Sequence, residues 1–76
     1  MKAVVTVMLK QGVLDPQGEA VKSALSSMGM DCVLGVRQGK VIELDLAEGT
    51  SEAQITEMCE KLLANTVIES YRFEIA

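Results

Sequence analysis

The first segment of the chain is apolar on both of its faces. Residues 2–9 read KAVVTVML, so that two rows alternate: Ala3, Val5, Val7 and Leu9 in one, Val4, Thr6 and Met8 in the other. Such a segment predicts a β-strand that is covered on both sides. One face can meet the core of a small domain, whereas the other needs a second cover.

Two helices are predicted from apolar residues at helical spacing. The first begins at Asp15-Pro16, an N-cap followed by proline at the first helical position, and runs to about Met28. The second begins after Ser51, which with Gln54 fits a capping box, and ends near Asn65. Each carries an apolar stripe: Ala20, Val21, Ala24, Leu25 and Met28 in the first, Ile55, Met58, Cys59, Leu62 and Leu63 in the second.

Three further strands are predicted. Residues 32–36 form a short apolar run, residues 37–40 are polar and contain a glycine, and residues 41–46 alternate between apolar and acidic side chains. This pattern predicts a β-hairpin. The last strand is predicted over residues 67–75, where aromatic and apolar side chains share one face.

The predicted order of elements is β-α-β-β-α-β, in one domain that spans residues 1–76. This order favours an α+β, ferredoxin-like sandwich, in which a four-stranded antiparallel sheet of strand order 4-1-3-2 carries two helices on one face. The second face of the sheet would stay open in a monomer. We expect it to serve oligomerisation through Val4, Thr6 and Met8.

Composition narrows the chemistry that this domain can perform. The 76 residues include no histidine and two well-separated cysteines. That excludes Ser-His-Asp triads and imidazole metal ligands, and it argues against C-x-x-C metal or redox sites. A chain this short with one Phe, one Tyr and no Trp has a marginal core, for which oligomerisation is the natural support.

Charge and hydropathy argue against two classes of partner. A net charge of −4 does not provide the basic surface that nucleic-acid binding needs. No apolar run approaches the ~20 residues of a membrane span, and no charged and apolar leader opens the sequence. We expect a cytoplasmic protein with reduced thiols at Cys32 and Cys59, and with no nucleic-acid or membrane partner.

Two short features could carry binding. Gly12 and Gly18 flank a helix start, where anions can bind, but the segment lacks the G-K-[ST] of a phosphate-binding loop. Arg37 and Lys40 bracket the predicted hairpin turn. They fit either a solvated turn or a charged contact with a partner subunit or a phosphate.

Three stretches together resemble one protein family over nearly the whole chain. They read KQGVLDPQG at residues 10–18, VRQGKVIEL at residues 36–44, and MCEKLLAN at residues 58–65 followed by Val67-Ile68-Glu69 and Tyr71. In content, order and spacing they are similar to the PurS family, the small subunit of bacterial and archaeal phosphoribosylformylglycinamidine (FGAM) synthase. Thr66 stands where that family usually has a proline.

The resemblance implies an accessory role in de novo purine biosynthesis. The FGAM synthase complex is an ATP-dependent, glutamine-hydrolysing C–N ligase. It converts formylglycinamide ribonucleotide, glutamine and ATP into FGAM, glutamate, ADP and phosphate. A glutaminase subunit releases ammonia, a large synthetase subunit consumes it, and the small subunit bridges the two and assists the transfer.

The same resemblance implies where cofactors and partners belong. The chain would carry no catalytic residue, metal or cofactor of its own, because the other subunits bind ATP, Mg and glutamine. It would form a homodimer or a tetramer. We expect contacts with the partner subunits at the two matching loops, through Lys10, Gly12, Asp15, Pro16, Gln17, Gly18, Arg37, Gly39 and Lys40.

A regulatory module is the alternative. ACT-type domains share the β-α-β-β-α-β order, dimerise and bind small ligands at the loop between the first strand and the first helix. Gly12 lies in the corresponding loop of this chain. Because one fold hosts many functions, the order of elements alone does not separate the two hypotheses.

Overall fold

The computed structural model describes all 76 residues as three strands and two helices. Along the chain these are β1 (Lys2–Leu9), α1 (Pro16–Ser27), β2 (Lys40–Asp45), α2 (Glu52–Met58) and β3 (Glu69–Ile75). A π-helical turn, Cys59–Leu63, continues α2 without a break. The predicted α+β class is confirmed. Neither helix has the length and apolar character that a membrane crossing requires.

The three strands form an antiparallel sheet with β1 in the middle, in the order β2-β1-β3. Val5 lies opposite Ile42 on one side and Phe73 on the other. The side chains of all three therefore point to the same face. The central position predicted for the first strand is confirmed.

The core lies on that face of the sheet, under α2. Ala3, Val5 and Val7 of β1 are buried, and they form one cluster with Ile55, Cys59 and Ala64. The predicted capping box at the N-terminus of α2 is confirmed. The Ser51 hydroxyl accepts from the Gln54 N–H at 3.2 Å, and the Gln54 side chain accepts from the Ser51 N–H at 2.8 Å.

The π-helical turn changes which residues of the second predicted stripe are buried. Its closing bond runs from the Ala64 N–H to the Cys59 carbonyl, five residues apart, at 3.0 Å. A wider turn rotates the later residues relative to an α-helix. Cys59 and Ala64 therefore reach the core, whereas Leu62 is 83% exposed, against the prediction that it belongs to the apolar stripe.

The predicted strand over residues 32–36, and the hairpin that it would form with β2, are wrong. No strand forms between α1 and β2, so the sheet has three strands rather than four. The segment instead runs back to the start of α1, where the Gln38 N–H binds the Asp15 carboxylate. That non-local bond holds the end of the connection to β2 at the helix start.

The prediction that both helices pack on the sheet is also wrong for α1. The core cluster contains no residue of α1, and Gly18 is the one buried residue in that helix. Met28 is 67% exposed. We call residues 16–38, which comprise α1 and the returning segment, the arm. Because the arm projects, the radius of gyration is 15.7 Å, against about 11 Å for a compact chain of this length.

Candidate functional site

A polar cleft opens where α1 begins, beside the end of β1 and the start of β2. Its volume is about 290 Å³. Nine residues line it, two of them apolar: Val7, Leu9, Asp15, Pro16, Gln17, Gln38, Gly39, Lys40 and Glu69. Both loops that the sequence singled out contribute to this lining. The structure therefore brings together two loops that are distant from each other in the sequence.

Asp15 joins these two segments. It is 7% exposed, and its Oδ1 accepts a hydrogen bond from the Gly18 N–H at 2.9 Å, which caps α1. Its Oδ2 accepts from the Gln38 N–H at 2.8 Å, 23 residues away in sequence. The bond from Gln38, and next the bond from Gly18, lower the pKa of the Asp15 carboxyl. A carboxylate held in this way acts as a structural acceptor with both oxygens in use.

Two glycines allow the segments to approach so closely. A Cβ at Gly18 would lie 2.6 Å from the Val36 carbonyl oxygen and 2.6 Å from the Asp15 carboxylate. A Cβ at Gly39 would collide with the Met8 sulphur and the carbonyl oxygen of Val7. Neither position has room for a side chain.

The cations of the two loops are exposed but have partners within the chain. The Arg37 guanidinium donates from Nη2 to the carbonyl oxygens of Leu9, at 2.9 Å, and Lys10, at 3.1 Å. The Lys10 ammonium donates to the Thr66 carbonyl at 2.7 Å. Lys40 Nζ lies 4.0 Å from a carboxylate oxygen of Glu69. Arg37 thus connects the arm to the end of β1, while Lys40 keeps most of its hydrogen-bonding capacity for other groups.

The nine residues expected to contact partner subunits fall into two groups. Asp15 and Gly18 are buried by this chain's own segments, so they shape the cleft from within. The other seven are exposed: Pro16, Gln17, Gly39 and Lys40 line the cleft, whereas Lys10, Gly12 and Arg37 lie outside its lining. Sequence reasoning missed Gln38 and Glu69. Gln38 contributes a backbone N–H, which no residue type signals, whereas Glu69 already belonged to a matching stretch and could have been included.

A second candidate surface is the face of the sheet that α2 leaves open. Val4, Thr6 and Met8 of β1 are half-buried along its middle, as the alternation of that strand predicts. Thr6 has Val41 and Arg72 as its cross-strand neighbours. The neighbours of Val4 are two acids, Glu43 and Glu74. The face is therefore an apolar strip flanked by charges of both signs.

The remaining reactive groups are placed apart from the cleft. Burial raises the pKa of the Cys59 thiol, whereas Cys32 is exposed beyond the end of α1. The structure groups no three Cys, Asp or Glu side chains in a way that could hold a metal ion. What the cleft offers is a set of backbone and charged groups suited to binding and positioning.

Comparison with known proteins gives one consistent result. The sequence model of the family described as PurS, phosphoribosylformylglycinamidine (FGAM) synthase, matches residues 2–76. The PurS subunit of this synthase from Bacillus subtilis is 53% identical over 76 residues, which cover 97% of this chain and 90% of that protein. The PurS subunit from Synechocystis is 54% identical over 72 residues, covering 91% of this chain and 72% of the relative.

Solved structures agree with the sequence comparison. A crystal structure of Bacillus subtilis PurS superposes with a TM-score of 0.87 at 53% identity, covering 96% of this chain and 94% of the other. A structure of PurLQS from Thermotoga maritima contains a chain that superposes with a TM-score of 0.82 at 30% identity. The coverage there is 96% of this chain and 93% of that one. The open arm is thus compatible with the backbone of related solved chains.

Proposed function

Because the chain belongs to the PurS family of FGAM synthase subunits, we propose that it is the non-catalytic connector between the glutaminase and the synthetase of that enzyme. Its place in the complex is beside PurL and PurQ, the partners present in the Thermotoga maritima PurLQS structure. That structure, which contains a chain of the same fold, is the observation that carries the proposal. The reaction is a ligase step of purine biosynthesis.

The side chains of this subunit support a connecting role. Ammonia transfer between two active sites needs an enclosed passage and a fixed geometry, because an intermediate that escapes into water is lost. The cleft supplies backbone and side-chain hydrogen-bonding groups, and its one buried acid, Asp15, has both oxygens occupied. On this proposal ATP, Mg and glutamine bind to the other subunits, and the complex works in the cytoplasm.

We assign partner contact to the exposed residues of the two loops that meet at the cleft: Lys10, Gly12, Pro16, Gln17, Arg37, Gly39 and Lys40. Lys40 is the clearest contact residue, because its one intramolecular ion pair is long, at 4.0 Å, and its side chain is half exposed. Ion pairs at the rim of an interface contribute little to affinity, so a single neutralisation should weaken assembly only about two- to fivefold. The contact is therefore measurable without loss of the complex.

Self-association is the second part of the proposal. The strip of Val4, Thr6 and Met8 on the open sheet face would pack against a second copy, in a homodimer or a tetramer. Support comes from the charges on that face, since Arg72 could pair with Glu43 or Glu74 of another copy related by a two-fold axis. The exposed stripe of α1, which includes Val21 and Met28, adds apolar surface that this chain does not cover.

Reconstitution tests the connecting role. The chain is mixed with the glutaminase and synthetase subunits, and FGAM formation is compared with glutamine and with free ammonia as nitrogen donor. A connector is required for the glutamine-dependent reaction and is much less important for the ammonia-dependent one. Glutamine-dependent synthesis that proceeds equally well without the chain contradicts the proposal. Saturable binding of an amino acid to the isolated chain would instead support the regulatory alternative.

A Lys40→Gln variant tests this contact surface. Its half-saturating concentration in the reconstituted reaction should rise about two- to fivefold, with the maximum rate unchanged. Lys61→Gln, which removes an exposed lysine from the π-helical turn, is the matched control, because Lys61 pairs with Glu57 away from the cleft. Equal behaviour of the two variants would remove Lys40 from the contact surface.

A further inference from the structure

We infer that Asp15 and Arg37 form a latch that fixes the direction of the arm relative to the sheet, and that this direction positions the partner subunits for glutamine-dependent synthesis. The latch is defined as these two side chains with the backbone groups that they bind. The inference rests on the proposed connecting function. It adds a positioning role for both residues, of which Asp15 is buried within the chain.

The hydrogen bonds between the arm and the rest of the chain lie at two places, its start and its end. At its start, α1 follows the loop that leaves β1, and at its end, residue 38 precedes Gly39 and β2. Asp15 connects start to end through the N–H groups of Gly18 and Gln38. Arg37 connects the end to the carbonyl oxygens of Leu9 and Lys10. The four hydrogen bonds therefore close a ring around the base of the arm.

No packing against the core substitutes for this ring. The core cluster lies wholly outside the arm, and α1 buries only Gly18. Gly18 and Gly39 lie too close to neighbouring atoms to carry side chains. The angle between the arm and the sheet is therefore set by the polar contacts at the base of the arm. An exposed arm with few apolar contacts is expected to fluctuate unless specific bonds hold it. The latch is the set of bonds at that position.

The arm has a cysteine that can be labelled to measure its movement. Cys32 is exposed just beyond α1, whereas Cys59 is buried. A spin label on Cys32 and a second on an introduced Thr56→Cys, on the exposed face of α2, report the distance between arm and body. Dilution into unlabelled chain keeps the measurement within one molecule. The decisive variant is Asp15→Asn, because an amide has one acceptor oxygen for the two N–H groups.

The latched chain should give a narrow distribution of distances, and Asp15→Asn should broaden it. In the reconstituted complex its half-saturating concentration for glutamine-dependent synthesis should rise about tenfold, because only part of the population has the arm in the competent direction. Saturating amounts should restore the maximum rate. Glu19→Gln, which removes an exposed acid from the same helix, is the control and should leave both readouts unchanged.

A distribution for Asp15→Asn as narrow as that of the control overturns the latch, and broadening without a change in half-saturating concentration overturns its positioning role. If Asp15→Asn fails to fold, Arg37→Ala carries the distance measurement, which a lost partner contact does not affect, and an unbroadened distribution overturns the latch. Should the unmodified chain fail to support glutamine-dependent synthesis, the proposed function fails, while the distance measurement on the isolated chain still tests the latch.

Discussion

The carboxylate of Asp15 accepts a hydrogen bond from the backbone N–H of Gln38 at 2.8 Å, across 23 residues of sequence. The same side chain caps α1, so one residue both begins the helix and holds the segment that returns from it. Gln38 is thereby held at the start of α1, at the end of a segment, residues 32–38, that forms no strand beside β2. These two bonds also make the protonation of one carboxyl group relevant to the arm.

Acid should therefore destabilise the base of the arm. The bonds from Gln38 and then Gly18 hold the pKa of Asp15 below its ordinary value of 3.8 in the folded state, with burial opposing them and Arg37 adding to the lowering. The unfolded state thus takes up the proton first as the pH falls. The Asp15 contribution is fully present above about pH 4 and is lost as the pH falls further.

Chemical denaturation between about pH 6 and about pH 2.5 measures this loss. Asp15→Asn has no carboxyl group to titrate, so its stability should change less over the acid range than that of the unmodified chain. Identical slopes for the two proteins would show that the Asp15 carboxyl does not titrate differently in the folded and unfolded states.

Titration at alkaline pH should test the effect of Glu60 on the ionisation of Tyr71. The nearby Glu60 carboxylate raises the pKa of Tyr71 to about 12, with burial adding to the rise. The unfolded state loses this proton first, near pH 10, so stability from Tyr71 is lost as the pH rises from about 10 to about 12. The chain has one tyrosine and no tryptophan, which makes the absorbance of the phenolate specific. Glu60→Gln should bring the titration midpoint back towards 10, and an unchanged midpoint would remove Glu60 as the cause.

Two glycines of the arm region should respond differently to the same substitution. Gly39→Ala places a methyl group against Met8 and the Val7 carbonyl, and should destabilise the chain by about 1–3 kcal/mol. Gly35→Ala meets no atom within 4 Å, and should be neutral or stabilising by up to about 1 kcal/mol. Urea denaturation of both variants makes the comparison. Equal effects would mean that the close approach at Gly39 does not constrain the fold.

The open face of the sheet should be sensitive to added charge. Thr6→Arg introduces a second cation next to Arg72 in the middle of the strip proposed to self-associate. A buried, unpaired charge at an interface weakens association by about tenfold or more, which sedimentation velocity over a range of concentrations detects. Thr56→Arg, on the exposed surface of α2, is the matched control. A Thr6→Arg protein with unchanged association would place the interface elsewhere.

Local signals made much of this fold predictable. The bounds of β1 and α1 follow from an uninterrupted apolar segment and from the Asp15-Pro16 start, and the capping box at Ser51 is read directly from the sequence. Each of these features depends on residues a few positions apart. Their physical causes, alternation and N-capping, act within that range.

Non-local contacts explain what could not be predicted. The apolar run at residues 32–36 has the composition of a strand but forms none, and a carboxylate outside it holds the end of the connection to β2 at the start of α1. Leu62 fits a stripe of period 3.6, and a π-helical turn turns it outward. In the candidate site, the sequence identified both loops, whereas the inward role of Asp15 depends on a backbone group that has no signature in the sequence.

The length of α1 gives its exposed position a geometric consequence. Twelve residues at 1.5 Å each make a rod of about 18 Å, anchored at one end and with no residue in the core cluster. A tilt of about 10° at the anchored end moves the far end by roughly 3 Å, more than the ~1 Å error that already impairs catalytic alignment. The helix therefore acts as a lever, and small angular freedom near Asp15 becomes large displacement near Cys32.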